Sequence, residues 1–173
     1  MTSVLVTGGA GYIGSHVALA LIDAGWTPVI VDNLVTGKRE LVPDNAEFIE
    51  ANISNGALIE ETIKKYDCRA ILHFAGSTVV PESVSNPLKY YGNNTCASRS
   101  LIQSVVNAGV NAMIFSSTAA VYGEPEQLPI DESSPTLPIN PYGVSKLMTE
   151  WMLRDVAQRR HYTTPPCAIS TSP

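Results

Sequence analysis

The sequence predicts an α/β protein built on a doubly wound parallel sheet with helices on both faces. Short β-branched runs alternate along the chain with longer segments whose apolar residues recur at helical spacing. The first such run also passes directly into the first helix through glycine. Strands that alternate with helices are joined by right-handed crossovers, which makes neighbouring strands parallel. A chain of 173 residues is long enough for one such domain with a buried core.

The predicted elements follow in chain order. The predicted strands are 4–6, 27–31, 47–50, 69–74 and 113–115. The predicted helices run from the glycine-rich turn to about Gly25, from 57 to 66, from Pro87 to Gly109 and from Pro141 onward. Asn86 and Asn140 each precede a proline, which is the pattern of an N-cap followed by proline at the first helical position.

The first strand meets a turn in which Gly8, Gly11 and Gly14 are spaced G-x-x-G-x-x-G ahead of the first helix. In a dinucleotide-binding turn the first glycine permits the bend, the second admits a pyrophosphate, and the third lets helix and strand pack closely. Backbone N–H groups at the helix start, around Tyr12 and Ile13, then form a phosphate site without basic side chains. We predict a Rossmann-type dinucleotide site, with a purely structural turn as the alternative.

Asp32 at the end of the second strand lies where an acidic residue holds the adenosine ribose hydroxyls. Its negative charge disfavours a 2′-phosphate and therefore favours NAD over NADP, although Lys38 and Arg39 nearby temper this preference. The alternative is that Asp32 is only a turn residue ahead of Asn33.

Small residues follow the fourth strand, and polar residues lie in the helix after it. Ala75 and Gly76 would let a cofactor ring approach the backbone. His73, inside the strand, is interpreted as a packed core residue rather than a ligand. Asn93 and Asn94 lie in a predicted helix, although asparagine has a low helix propensity. We predict that one of them contacts the cofactor or the active site, with a solvated face as the alternative.

Hydroxyl side chains end the fifth strand at Ser116, Ser117 and Thr118, and this end of a parallel sheet faces the ligand crevice. On the last helix, Tyr142 and Lys146 lie one turn apart on one side. A tyrosine with a pKa near 10 is a poor base, and lowering that pKa by about 3 units requires roughly 4 kcal/mol. One ammonium about 4 Å away at an effective dielectric near 20 supplies that much.

Tyr142 and Lys146 are therefore a candidate proton-transfer pair, with a surface pair of no catalytic role as the alternative. Tyr142 would take a proton from a substrate hydroxyl while hydride leaves the same carbon for NAD. Thr118 would hydrogen-bond the reacting oxygen.

Composition and charge exclude several other functions. A net charge of −5 without a basic stripe makes nucleic acid an unsuitable partner. No apolar run approaches the ~20 residues of a membrane span, and we expect no signal peptide ahead of the first strand. The three cysteines, Cys68, Cys96 and Cys167, lack metal-ligand spacing and are interpreted as reduced thiols. We therefore expect a cytoplasmic protein without a metal site.

Seven motifs, in order across nearly the whole chain, resemble the extended short-chain dehydrogenase/reductase family. They are V-T-G-G-A-G-Y-I-G at 6–14, V-D-N-L at 31–34, H-F-A-G at 73–76, P-E-S-V at 81–84, Y-Y-G-N-N at 90–94, F-S-S-T-A-A-V-Y-G at 115–123 and P-Y-G-V-S-K-L-M-T-E at 141–150. The resemblance implies epimerisation at C4 of a UDP-hexose by tightly held NAD, through a 4-keto sugar that rotates before hydride returns.

The resemblance also implies roles for single residues. Tyr142 is the base, Lys146 its partner and Thr118 the family's Ser or Thr hydroxyl, so that Tyr142 and Thr118 contact the substrate. Asp32 and Asn33 would hold the adenosine ribose. The residues expected to bind NAD are Gly8, Gly11, Tyr12, Ile13, Gly14, Asp32, Asn33, Asn52, Ile53, Phe74, Ala75, Gly76, Asn93, Ser116, Tyr142 and Lys146. A homodimer through the long helix and the Tyr142 helix is implied for the full-length form, and truncation weakens that expectation.

Two departures from the family pattern concern the cofactor. Thr78 stands where some related epimerases have a lysine, so a direct charge on cofactor or substrate is missing. Asn52, beside Ile53, replaces an aspartate expected to meet adenine, and it can still hydrogen-bond.

Two alternative functions are weighed against epimerisation. Dehydratases of the same superfamily carry Asp-Glu directly after the strand-end threonine, whereas Ala119 and Ala120 follow Thr118 here. The second alternative is a non-catalytic NAD-binding protein, which the intact Tyr142 and Lys146 disfavour.

The end of the chain departs from the family. Family members are roughly twice as long and continue into a strand that resembles L-R-Y-F-N-V-A, whereas residues 163–173 read T-T-P-P-C-A-I-S-T-S-P. Adjacent prolines make a poor central strand. Codons for these residues, shifted back by one base, can spell Y-A-A-L-R-Y-F-N-V-A. We therefore expect an incomplete NAD-binding domain at 1–162, lacking its last strands and the substrate domain, and an out-of-frame tail at 163–173.

Overall fold

Five strands form one parallel sheet in the computed structural model, which describes residues 2–125 and 127–159. The strands are β1 Ser3–Thr7, β2 Thr27–Asp32, β3 Glu47–Glu50, β4 Cys68–His73 and β5 Met113–Phe115. Their spatial order is β3-β2-β1-β4-β5, and each neighbouring pair is parallel. Because the chain continues from β1 first to one side and later to the other, the crevice beyond the carboxyl ends of β1 and β4 is the topological switch point.

Helices connect the strands and extend the chain beyond the sheet. They are α1 Tyr12–Asp23, α2 Gly56–Lys65, α3 Val80–Ser85, α4 Pro87–Tyr90, α5 Ala97–Asn107 and α6 Pro141–Arg159. Two 3₁₀ turns, Arg39–Leu41 and Ala119–Tyr122, lie in the connections after β2 and β5.

The sheet has a hydrophobic core on each face, as the alternation of β1 illustrates. Leu5 belongs to a cluster with residues of α2, α5 and α6, whereas Val4 and Val6 belong to a cluster that includes Ala18 of α1. Successive side chains of a strand point to opposite faces, so helices must cover both sides to exclude water. The predicted doubly wound parallel sheet with helices on both faces is therefore confirmed.

The predicted single helix from Pro87 to Gly109 is wrong in its middle. α4 ends at Tyr90, and a π-helical turn over Tyr91–Cys96 leads into α5. A π turn takes one more residue than an α turn and so changes which side chains face the protein. The predicted cap is present, because the Asn86 side chain accepts a hydrogen bond from the Lys89 backbone N–H at 3.4 Å. The short helix α3 has no counterpart among the predicted elements.

The predicted out-of-frame tail at 163–173 lies outside the described residues, as does Cys167. Cys68 is a buried free thiol and Cys96 an exposed one. Across residues 2–125 and 127–159, no helix has the length and apolar character needed to cross a membrane. The same residues contain no group of three or more His, Cys, Asp or Glu side chains placed to hold a metal ion.

Candidate active site

The predicted site residues emerge at one edge of the sheet because the strands end in register. Thr7 pairs with Val31 on one side and with His73 on the other, and His73 pairs with Phe115. The segments that follow these residues therefore leave the sheet side by side. They are the glycine-rich turn, Asp32, Phe74–Gly76 and Ser116–Thr118.

The glycine-rich turn is too tightly packed for side chains. Gly8 has φ +72°, and a Cβ added there would lie 2.5 Å from the Ala75 backbone nitrogen. At Gly14 an added Cβ would lie 2.3 Å from the Gly8 carbonyl oxygen. α1 begins at Tyr12 with Gly11 as N-cap and without a side-chain cap. Uncapped N–H groups at a helix N-terminus attract anions, so the turn has the features of a phosphate site.

Asp32 is held in a fixed orientation beside this turn. One carboxylate oxygen accepts a hydrogen bond from the Ala10 backbone N–H at 3.0 Å, and the other accepts one from the Leu34 N–H at 2.9 Å. The side chain is buried, and Leu34 has φ +56°. Asp32 is thus a turn residue, and the same bonds fix a carboxylate at the end of β2. The exposed Asn33 side chain accepts a bond from the Val35 N–H at 3.2 Å.

Two further residues predicted to bind NAD, Asn52 and Ile53, lie beyond β3. Asn52 is exposed, and its side-chain oxygen accepts a hydrogen bond from the Ser54 N–H at 2.9 Å. Ile53 is buried in the hydrophobic core. Its side chain is therefore committed to packing, and only its backbone is available to a ligand.

His73 is a core residue, as predicted. It is fully buried, with Nδ1 2.7 Å from the Thr7 hydroxyl and Nε2 2.8 Å from the Ser98 hydroxyl. Burial, and secondarily the nearby Lys146 cation, lowers the pKa of His73 to about 3. The ring is therefore neutral at physiological pH and links β1, β4 and α5.

The structure brings Asn94 into the site, whereas Asn93 was the residue predicted to line the cofactor. The Asn94 side chain accepts a bond from the Ser77 N–H at 2.7 Å and donates to the Ser77 carbonyl and the Ser145 hydroxyl, each at 3.0 Å. Asn93 is half-buried and donates to the Ser77 hydroxyl at 2.8 Å. A Cβ on Gly76 would lie 3.1 Å from the Asn94 oxygen and 3.8 Å from Lys146 Nζ. Asn94 therefore ties the loop after β4 to α6 beside Lys146.

Lys146 is buried and directed into the protein, so the interpretation as a surface pair is wrong. Its ammonium donates a hydrogen bond to the Ser116 carbonyl oxygen at 2.7 Å and lies 4.6 Å from the centre of the Phe115 ring. Burial lowers the pKa of Lys146 to about 8, and the charge of Glu150 opposes this effect. The cation is held at the end of β5, where the ligand crevice of a parallel sheet lies.

Tyr142, one turn earlier on α6, is also buried, and its ring meets that of Tyr90 edge-on with 6.3 Å between centroids. The Asn140 side chain caps this helix by accepting a bond from the Gly143 N–H at 2.8 Å, as predicted. A Cβ on Gly143 would lie 2.6 Å from the Ala120 carbonyl oxygen. The first turn of α6 thus packs directly against the turn that follows Thr118.

Thr118 begins that turn, because its hydroxyl oxygen accepts a bond from the Ala120 N–H at 3.2 Å. The hydroxyl proton is left to donate to a ligand. Sequence reasoning missed three residues of this region: Tyr90, Ser77 and Glu150. Tyr90 and Glu150 fall within the matched motifs, but nothing in their local pattern indicates a tertiary contact.

Comparison with known proteins agrees with this geometry. A model of the NAD dependent epimerase/dehydratase family matches residues 4–169. The UDP-glucose 4-epimerase of Azospirillum brasilense is 55% identical over 152 residues, which are 88% of this chain and 44% of that protein. The chain thus spans about half the length of the curated relatives it matches.

Solved structures superpose closely on the chain. The UDP-glucose 4-epimerase of Brucella ovis in complex with NAD has a TM-score of 0.89 at 46% identity, covering 91% of this chain and 48% of its own. The Thermotoga maritima UDP-glucose 4-epimerase with UDP-glucose has a TM-score of 0.86 at 37% identity, covering 91% and 52%. Because the family model matches nearly the whole length of this chain, the chain belongs to the NAD dependent epimerase/dehydratase family.

Proposed function

We propose that this chain binds NAD at the carboxyl edge of its sheet and that the full-length form epimerises a UDP-hexose at C4, interconverting UDP-glucose and UDP-galactose. The proposal rests on one observation: a buried lysine, Lys146, lies at the end of β5 one helical turn from the buried Tyr142. Relatives named UDP-glucose 4-epimerase, and related structures that contain NAD or UDP-glucose, support it.

The residues present fit NAD. Glycine at Gly8 and Gly14 permits the tight turn, since side chains there would collide with the Ala75 and Gly8 backbone, and the uncapped start of α1 offers N–H groups to a pyrophosphate. The fixed carboxylate of Asp32 offers acceptors to ribose hydroxyls. NAD, when bound, would accept a hydride from the sugar C4 and later return it.

The chain's own residues would transfer the proton and orient the sugar. Tyr142 takes the proton of the C4 hydroxyl and later returns it. Lys146, one helical turn further along α6, supplies a buried positive charge that favours this proton transfer. Thr118 donates its hydroxyl proton to the reacting oxygen, since its own oxygen is already occupied by the Ala120 N–H. No carboxyl group directly follows Thr118, which favours epimerisation over water elimination.

Calorimetric titration with NAD and NADP tests the cofactor part. We expect weak NAD binding by the 173 residues alone and weaker binding of NADP. In Asp32→Asn, the preference for NAD should shrink because the charge opposing the 2′-phosphate is gone. Equal affinity of the unmodified chain for both cofactors would contradict the proposed role of Asp32, and no binding of either would contradict the NAD site.

Activity is tested in a chimera, because the chain spans about half the length of its relatives. We expect residues 1–159 alone to show no conversion of UDP-galactose. The same residues joined to the second half of the Azospirillum brasilense relative should recover turnover. Tyr142→Phe in this chimera should abolish turnover and leave NAD affinity unchanged. An active chimera that tolerates Tyr142→Phe would rule out Tyr142 as the base.

A further inference from the structure

α6 holds the segment after β5 at two successive residues. Lys146 donates to the Ser116 carbonyl oxygen, and one turn further along α6 the Glu150 carboxylate accepts a hydrogen bond from the Ser117 hydroxyl. Ser117 is buried, and Glu150 is half-buried. Two neighbouring positions of the chain are therefore tied to two positions one turn apart on the helix.

Thr118 follows directly and is confined on its other side as well. Its hydroxyl oxygen accepts a hydrogen bond from the Ala120 N–H, and the Ala120 carbonyl oxygen packs so closely on α6 that a Cβ on Gly143 would lie 2.6 Å from it. The segment thus has one anchor before Thr118, at Ser117, and one after it, at Ala120. Both anchors contact α6, the helix that carries Tyr142 and Lys146.

Charge adds a second connection between Glu150 and this site. The carboxylate raises the pKa of Lys146 against the larger, lowering effect of burial, and so favours the charged lysine. Burial raises the pKa of Glu150 itself, whereas the Ser117 hydrogen bond and the Lys146 cation lower it.

Other titratable groups also face this pair. Glu150 faces Tyr122, whose pKa is raised first by burial and then by this carboxylate, with Glu132 and Asp131 adding to the effect. His73 faces Lys146 from β4.

We propose that Glu150 is a positioning residue, which holds Thr118 through Ser117 in register with Tyr142 and Lys146. The assignment rests on the function proposed above for those residues and adds a carboxylate outside the Tyr-Lys pair. Because a hydrogen bond to a charged group is stronger than one between neutral groups, its loss should free the segment measurably.

Hydrogen exchange and lysine NMR on the 173-residue chain test the proposal without requiring turnover or cofactor. In Glu150→Gln, the amide of Ala120 should exchange about tenfold faster or more, as expected for the loss of one such bond. In the same variant, the NMR signal of the Lys146 ε-carbon should titrate at a lower pH than in the unmodified chain. The control is Asp155→Asn, which removes an exposed carboxylate from the same helix and should change neither property.

Ser117→Ala separates the hydrogen bond from the charge and guards against misfolding of the Gln variant. It should accelerate Ala120 exchange as Glu150→Gln does. Unchanged Ala120 exchange in both variants would overturn the proposal, as would identical effects of Asp155→Asn. NAD titration of the same samples keeps the two proposals distinct. Normal NAD binding with unaltered Ala120 exchange refutes only the role of Glu150, whereas absent NAD binding by the unmodified chain refutes the function.

Discussion

The ammonium group of Lys146 and the carbonyl oxygen of Ser116 lie 2.7 Å apart, and this hydrogen bond joins α6 to the end of β5. Lys146 is only 4% exposed. Its hydrogen-bond acceptor lies 30 positions earlier in the chain. A buried cation destabilises the fold, so the cost of placing one at the ligand crevice agrees with the role proposed for Lys146.

Replacing Lys146 by Met should therefore stabilise the fold by about 1–3 kcal/mol, because it removes the buried charge, and it should abolish turnover in the chimera. The pKa of about 8 lies below the ordinary value of 10.5, so between these pH values the unfolded chain keeps a proton that the folded chain has released. The contribution of Lys146 to stability accordingly rises from about pH 8 to pH 10.5, and its full cost is present below pH 8.

Urea unfolding at pH 7 and pH 10 checks this prediction. The gap between Lys146→Met and the unmodified chain should narrow at the higher pH. As the control, Lys89→Met removes an exposed lysine and should show no such pH dependence. A destabilised Lys146→Met at both pH values would mean that the Ser116 bond outweighs the burial of the charge.

Gly8, before α1, and Gly25, after it, offer a matched pair of alanine substitutions. Gly25→Ala introduces a side chain at φ +79° with open space around it and should cost about 1–2 kcal/mol. Gly8→Ala combines φ +72° with a contact of 2.5 Å to the Ala75 nitrogen and should cost a further 1–3 kcal/mol or so.

Only Gly8→Ala should also abolish NAD binding, because Gly25 lies at the far end of α1 from the predicted phosphate site. Thermal unfolding and NAD titration of both variants measure the two effects. Equal destabilisation by the two substitutions would show that the backbone at Gly8 can move away from Ala75.

His73 should make the fold sensitive to acid. Its pKa falls from an ordinary 6.5 to about 3 in the fold, so the unfolded chain binds a proton between these pH values while the folded chain does not. Stability should decline as pH falls through this range, by up to about 1.4 kcal/mol per pH unit from this residue.

Urea unfolding from pH 7 to pH 4 should show a shallower acid decline for His73→Gln than for the unmodified chain. His16→Gln, which removes an exposed histidine on α1, serves as the control and should retain the full slope. Parallel pH profiles for the unmodified chain and His73→Gln would mean that the ring is protonated without unfolding.

Asn93 and Asn94 should differ sharply on replacement by alanine. Asn94→Ala leaves Ser77 and Ser145 without their buried partner and should cost about 2–4 kcal/mol. Asn93→Ala should change stability by less than about 1 kcal/mol, since the side chain is only half-buried.

If Asn93 lines the cofactor, as the family resemblance implies, its alanine variant should weaken NAD binding with little loss of stability. Chemical denaturation together with NAD titration distinguishes the two positions. Unaltered NAD affinity in Asn93→Ala would remove that residue from the cofactor site.

Much of the fold was predictable because its determinants are local. Apolar periodicity located all five strands, and proline after asparagine located the starts of two helices. The π turn at Tyr91–Cys96 was not predictable, since residues 91–96 contain too few apolar side chains to show a shift of the helical face. The short helix α3 was missed because six residues are too few to show a helical period.

The sequence by itself determined the parallel α/β fold, the glycine turn and the placement of Tyr142 and Lys146 one turn apart on one helix, because each depends on spacing within one or two neighbouring elements. Only the tertiary structure decided that Lys146 points into the protein and that Asn94 links α6 to the loop after β4 by hydrogen bonds. It also decided that the Glu150 carboxylate accepts a hydrogen bond from the Ser117 hydroxyl. These contacts join residues 30 to 51 positions apart. The sheet's register and the packing of α6 create them, and no local pattern encodes either.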